Sequence, residues 1–223
     1  MPYRKTPIVS GEIYHVFNRS IARQHIFLNQ RDYQRAIETI DFYRYRKLPL
    51  RFSHFNRLAL EQKQEFINNH MRDSKPMLEI FAYCIMPNHI HFLLRQILDH
   101  SISDFMRNFQ HSYSKYFNTK RERTGSLFQS MFKAVRVESD EQLLHVSRYI
   151  HLNPVTAYII KIDDLIHYPW CSFKDYIESF DNSLVNTKVI MEYFKSQEEY
   201  KKFVFDQVKY QKSLVKIEHL LLE

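Results

Sequence analysis

Two histidines, His89 and His91, stand two residues apart in the run Met86-Pro87-Asn88-His89-Ile90-His91-Phe92-Leu93-Leu94. On a β-strand successive side chains point to opposite faces, so His89, His91 and Leu93 share one face while Ile90, Phe92 and Leu94 share the other. The apolar face gives the strand a core to pack on. The two imidazoles opposite it can then reach one metal ion, or one phosphate, together. With twelve histidines in 223 residues, one such pair by itself says little. Further along, Tyr149 and Asn153 stand four residues apart, one turn up the same face of a helix. Leu143, Val146 and Ile150 form the stripe that holds that helix to a core, leaving Tyr149 on its edge, able to reach a site on a sheet. By spacing alone, Tyr149 reads as an ordinary amphipathic tyrosine, and Asn153 as the residue that ends a helix before Pro154.

Strands and helices must position these residues. Glu12–Phe17 reads as a first strand, aromatic and β-branched. From Gln30 to Arg46, Tyr33, Ala36, Ile37, Ile40 and Tyr43 recur at helical spacing, and Pro49 closes that helix. Residues 50–76 are polar, with a short helix near Leu58–Met71, and read as a peripheral excursion. Leu78–Met86 is apolar on both faces, as a mid-sheet strand is. Pro87-Asn88 turns it into the His89–Arg95 strand, making an antiparallel hairpin. Ser101 with Asp104 resembles a capping box opening an amphipathic helix whose stripe is Ile102, Phe105, Met106, Phe109, Tyr113, Tyr116 and Phe117. Gly125 turns the chain into Ser126–Val137, which reads as extended. Ser139 with Gln142 is a second capping box, so a helix begins at Asp140; Pro154 predicts its end at Asn153. Helical, mostly surface-like segments follow to Glu223. This order describes an α+β sandwich on an antiparallel sheet, with a ferredoxin-like topology preferred.

The totals narrow the function. The chain is long enough to bury a real core and is 44% hydrophobic and 15% aromatic. A net charge of +7 and a pI near 9.3 lean toward a polyanionic partner, nucleic acid first. Only Gly11 and Gly125 are glycine, which excludes glycine-rich phosphate loops and dinucleotide fingerprints. The two cysteines, Cys84 and Cys171, are far apart and lack CxxC spacing. With no apolar leader or membrane-length run, a reducing, cytoplasmic setting is expected.

Several motifs occur in order: Tyr14-His15-Val16-Phe17-Asn18-Arg19, the run at 86–94, Tyr-Ser-Lys-Tyr-Phe-Asn at 113–118, Gly-Ser-Leu-Phe-Gln at 125–129 and Tyr-Ile-His-Leu-Asn-Pro-Val at 149–155. Together they resemble the REP-associated tyrosine transposases, single-tyrosine members of the HUH transposases, over about residues 8–176. The resemblance implies an HUH endonuclease fold over 1–178 with a C-terminal helical extension over 179–223. It implies that His89 and His91 hold a divalent metal, Mg²⁺ or Mn²⁺, that Asn153 completes the metal site, and that Tyr149 is the nucleophile. The expected activity is a metal-dependent single-stranded DNA endonuclease and strand transferase, forming a 5′-phosphotyrosyl bond on hairpin DNA. Members of the family act as dimers or as monomers. His151 falls on another helix face and is expected to be structural or surface.

The chemistry is coherent. A metal on a phosphate oxygen neutralises charge and orients phosphorus for in-line attack. The tyrosine hydroxyl, with a free pKa near 10, needs a cation or base to lose its proton. Two imidazoles and one amide suit Mn²⁺ better than Mg²⁺, which prefers oxygen. Arg19, Arg23, Lys115, Lys133 and Arg136 are candidates to neutralise DNA phosphates. Two alternatives stay open: a metal nuclease with water as nucleophile, and a ferredoxin-like nucleic-acid-binding module without catalysis.

Overall fold

A computed structural model describes residues 7–72, 74–178 and 184–211. Its strands are β1 (Ile13–Arg19), β2 (Leu78–Met86), β3 (His89–Gln96) and β4 (Lys133–Val137). Between β1 and β2 lie α1 (Gln30–Tyr43), α2 (Phe52–Phe55) and α3 (Leu60–His70); α4 (Ser101–Lys120) links β3 to β4. After β4 come α5 (Asp140–Thr156), α6 (Phe173–Ile177), α7 (Lys188–Met191) and α8 (Gln197–Phe205).

The sheet order is β2-β3-β1-β4, and every neighbouring pair is antiparallel. Two crossovers thread one face, the ferredoxin-like arrangement expected of the sequence. The period of two sorts the strands: Val16 faces Phe92 across the β1–β3 pair, while Phe17 faces His91 and His15 faces Leu93. On the first face Phe92 meets α4, its ring 5.5 Å from Phe105 and 6.1 Å from Phe109. α1 packs along α4 on this side, while α5 packs against β2 and β3 on the other.

Asp32 ties α1 to α4. Its carboxylate is fully buried and accepts from Lys120 Nζ at 2.6 Å, from the Tyr116 hydroxyl at 2.8 Å and from the Leu28 N–H at 3.2 Å. Burial alone would raise its pKa, but these hydrogen bonds and the Lys120 charge hold the carboxyl below its ordinary value.

β2 would be an open edge, but Ile85 N–H donates to Trp170 O, Ser172 N–H to Tyr83 O and Asn186 N–H to Ile80 O. The segment after α5 thus covers an edge that would otherwise invite pairing with another chain.

The structure corrects several boundaries. α1 stops at Tyr43, short of Arg46. The expected capping box at Ser101 is absent: His100, at φ 64°, is the cap, and Ser101 is a buried first helical residue. The turn that bonds Ser101 N–H to Leu98 O sets this register. Of Ser126–Val137 only β4 is strand; Phe128 makes an isolated bridge to Ser20. α5 opens at Asp140 as expected, with Gln142 N–H on Ser139 Oγ and Glu138 N–H on Gln142 Oε1. It does not end at Asn153. Pro154 removes one helical hydrogen bond, yet Ala157 N–H bonds Asn153 O beyond it and Val155 is fully buried, so the helix runs to Thr156.

Nor is the C-terminal part mostly surface: Phe173, Tyr176, Ile190, Tyr200 and Val204 are all buried. Residues beyond 211 lie outside those described. Among the described residues no helix is long and apolar enough to cross a membrane.

Candidate active site

The face of the sheet under α5 carries the chemistry-bearing side chains. Alternation along β1 and β3 puts His15, Phe17 and Arg19 beside Leu93, His91 and His89, in that order of pairing. The His89 and His91 rings stand 5.0 Å apart, nearly perpendicular. Tyr149 descends from α5, its ring centre 5.6 Å from that of His91 and 5.7 Å from that of His15. It remains 39% exposed, so its face of the cluster is open to solvent. Residues far apart in sequence therefore meet: the histidine pair and the tyrosine form one cluster of rings.

Asn153 joins them. Its side-chain Nδ2 donates to Tyr149 O at 2.8 Å, one turn back along α5, and its side chain also hydrogen-bonds His89. His89 Nδ1 lies 2.6 Å from Asn88 Oδ1, and His91 Nδ1 lies 2.9 Å from His15 Nε2. An amide oxygen can only accept, so His89 carries its proton on Nδ1 and leaves Nε2 with a lone pair. If His91 likewise donates from Nδ1 to His15, its Nε2 is also a free electron pair. Metal-ligating histidines are oriented in this manner by a partner on the other ring nitrogen.

Electrostatics agree with that donor role. Burial holds the pKa of His15 to about 4. Burial, then the nearby Arg19 charge, lowers that of His89 to about 4 despite the Asn153 hydrogen bond. His91, fully enclosed, is held well below its ordinary value by burial first and then by His89, His15 and Arg19. All three are neutral at pH 7, as ligands must be. Among the described residues no three His, Cys, Asp or Glu side chains converge as a metal-binding group. A metal held by His89, His91 and Asn153 would meet two imidazoles and an amide, a set sparse for Mg²⁺ and workable for Mn²⁺ when a phosphate completes it.

The structure distributes the five basic candidates unevenly. Arg19 sits at the end of β1 opposite His89. Lys133 is exposed, its Nζ 5.9 Å from the centre of the Phe17 ring, on the same face. Arg23 is exposed in the turn after β1, where its carbonyl accepts from Asn88 Nδ2. Arg136 is paired with Glu12 at 2.7 Å. Lys115 is on α4, across the sheet from the histidines, and is not brought to this site.

Sequence reasoning missed His15 and Asn88. Alternation along β1 was the available signal for His15, since it shares a face with Phe17 and Arg19. Beside Tyr149, between β4 and α5, runs an open groove of about 870 Å³ lined by His15, Val135, Val137, Gln142 and His145. His151 is structural: fully buried, with Nε2 2.9 Å from Ser172 Oγ and Nδ1 2.8 Å from the Tyr200 hydroxyl.

Residues 50–153 match the family model for IS200-like transposases. A solved structure of a REP-associated tyrosine transposase bound to a REP hairpin is similar at a TM-score of 0.54 and 14% identity, over 83% of this chain and 94% of that one. A proposed transposase from Deinococcus radiodurans R1 aligns over 67% of this chain and 95% of that one, at 15% identity and a TM-score of 0.36. No curated protein matches the sequence. Residues 50–153 are thus similar to IS200-like transposases, and the chain shares the fold of a REP-associated tyrosine transposase.

Proposed function

We propose that this protein is a DNA strand-cleaving and strand-joining enzyme with Tyr149 as its nucleophile and His89, His91 and Asn153 as the holders of a divalent metal. The observation that carries the reading is the meeting of Tyr149 with the histidine pair on one sheet face, ring centres 5.6 Å apart from His91. Bound there, Mg²⁺ or Mn²⁺ would supply charge neutralisation and orientation of a phosphodiester.

The chain's own residues supply the rest. His89 and His91, neutral and oriented from Nδ1, offer lone pairs rather than positive charge. Asn153 bonds both His89 and the Tyr149 carbonyl, so it sets the metal-side and nucleophile-side groups relative to each other. Arg19 and Lys133 add cationic surface at the mouth of the site for strand phosphates. The Tyr149 oxygen forms a bond to phosphorus as the bond from phosphorus to O3′ breaks. The tyrosine proton passes to solvent or a base, and the leaving O3′ takes one up to become a hydroxyl. Bond energy is retained in the 5′-phosphotyrosyl link, so a later attack by a 3′-hydroxyl rejoins strands without ATP.

The similar solved protein is bound to a REP hairpin, which supports single-stranded DNA able to fold into a hairpin as the substrate class. Residues 1–178 would carry this activity, with 179–223 as an extension. The test is a labelled hairpin panel with Mn²⁺, resolved on a denaturing protein gel. Label travelling with intact protein and lost in Tyr149→Phe supports the reading; cleavage without an adduct replaces it with a water-using nuclease.

A further inference from the structure

The geometry points to a second phosphodiester-binding groove on the side of the molecule away from Tyr149. Between the 43–57 stretch, which leads from α1 through α2, and the outer face of α4 lies an open groove of about 780 Å³. Lys47, Arg51 and Arg57 stand on one wall and Lys115 and Lys120 on the other, and no Asp or Glu lines it. In a chain with 25 acidic residues, a groove of this size holding five cations and no carboxylate is a one-signed field.

Not all five cations are available. Lys120 is engaged by Asp32, and Arg57 Nε donates to Ser53 O. Lys47, Arg51 and Lys115 are exposed, and no hydrogen bond or ion pair joins any of their side chains to another described residue. Holding such charges together costs self-repulsion unless an anion comes between them. His54 and His111 add further nitrogen donors, and Tyr43 and Tyr45 add aromatic surface. Cations interleaved with aromatics match a nucleic-acid backbone with its bases better than a lone small anion.

α4 lies on the face of the sheet opposite α5, so this groove stands apart from the nucleotides held at Tyr149. It would hold a different stretch of the same DNA, its phosphates spaced along the two walls. The source of that backbone is either the paired arm of a hairpin or an unpaired flank. This inference rests on the proposed reading of the protein as a DNA strand-transfer enzyme.

The test measures DNA affinity by fluorescence anisotropy across a salt series, with full-length wild type and the Arg51→Ala/Lys115→Ala double variant. Both positions are exposed, so folding should be unaffected, and a melting curve checks it. Three probes are used: a short unpaired strand, a hairpin with that strand attached, and the strand with an unpaired flank of equal length. The expected result is weaker binding of one longer probe, about tenfold at 0.1 M salt, with a log–log salt slope shallower by about 2. Loss on the hairpin alone assigns the paired arm; loss on the flanked strand alone assigns the flank. Unchanged affinity and slope on both would overturn the inference. So would an equal loss on the short strand, because the cations would then belong to the cutting path. Adduct formation on the short strand is read in parallel: its absence in wild type removes the enzymatic reading while the binding series still decides the groove.

Discussion

Acidification from about pH 7.5 to 5 should destabilise this protein, and His151 should carry about 2 kcal/mol of the loss. His151 sits fully buried on α5 and joins three parts of the chain. Its Nδ1 meets the Tyr200 hydroxyl of α8, and its Nε2 meets Ser172 Oγ, which in turn accepts from the Tyr83 N–H of β2. Burial lowers its pKa from 6.5 to about 3. In the folded state it is neutral between those values, while in the unfolded state it binds a proton. Stability from this group is therefore fully present above about pH 6.5 and is lost as pH falls toward 3. At about pH 5 the unfolded state has gained about 1.5 pH units of proton affinity, worth about 2 kcal/mol. The assay is urea unfolding at about pH 7.5 and 5 in chelator, for wild type and His151→Gln, which does not titrate. The variant starts less stable but should lose about 2 kcal/mol less on acidification. Identical losses in the two proteins would refute the buried, neutral histidine as the cause.

Asp32→Ala removes the buried acceptor that joins α1 to α4 and should cost about 3 kcal/mol, read as a fall of about 6–12 °C in Tm; a fall of a degree or two would contradict that role. His15→Leu should weaken Mn²⁺ binding about 10- to 100-fold by freeing the His91 ring, while His15→Gln, which can still accept from Nδ1, should recover part of it. Calorimetric titration with Mn²⁺ reads both, and equal affinity in wild type and His15→Leu would remove His15 from the site. Chelator should stop strand cleavage while leaving salt-sensitive DNA binding in place, measured by anisotropy beside a cleavage gel; cleavage persisting in chelator would exclude a metal requirement.

Much of this fold can be read along the chain because its elements are locally marked. The period of two in His89–Leu94, the apolar run of β2 and the Ser139–Gln142 cap each fix an element without tertiary knowledge. The failures have equally local causes. At Pro154 a backbone preference pointed to a helix end, but the burial of Val155 and a hydrogen bond past the proline carried the helix on. At Ser101 a side chain suited to capping was pre-empted by the turn at Leu98–His100. The C-terminal helices are too short for a clear apolar stripe, yet Tyr200 is buried against Tyr176 and Phe194 with its hydroxyl on His151, a pairing no spacing announces. The site was half visible: the histidine pair and the Tyr149–Asn153 spacing are in the sequence, whereas His15 joins them only through the β1–β3 register.

The most direct measurement is mass spectrometry of the protein after incubation with hairpin DNA and Mn²⁺. The expected product is a DNA fragment joined to the peptide bearing Tyr149, with the released strand ending in a 3′-hydroxyl, and no adduct from Tyr149→Phe. An adduct on another residue, or cut DNA with no adduct at all, would contradict the central role assigned to Tyr149.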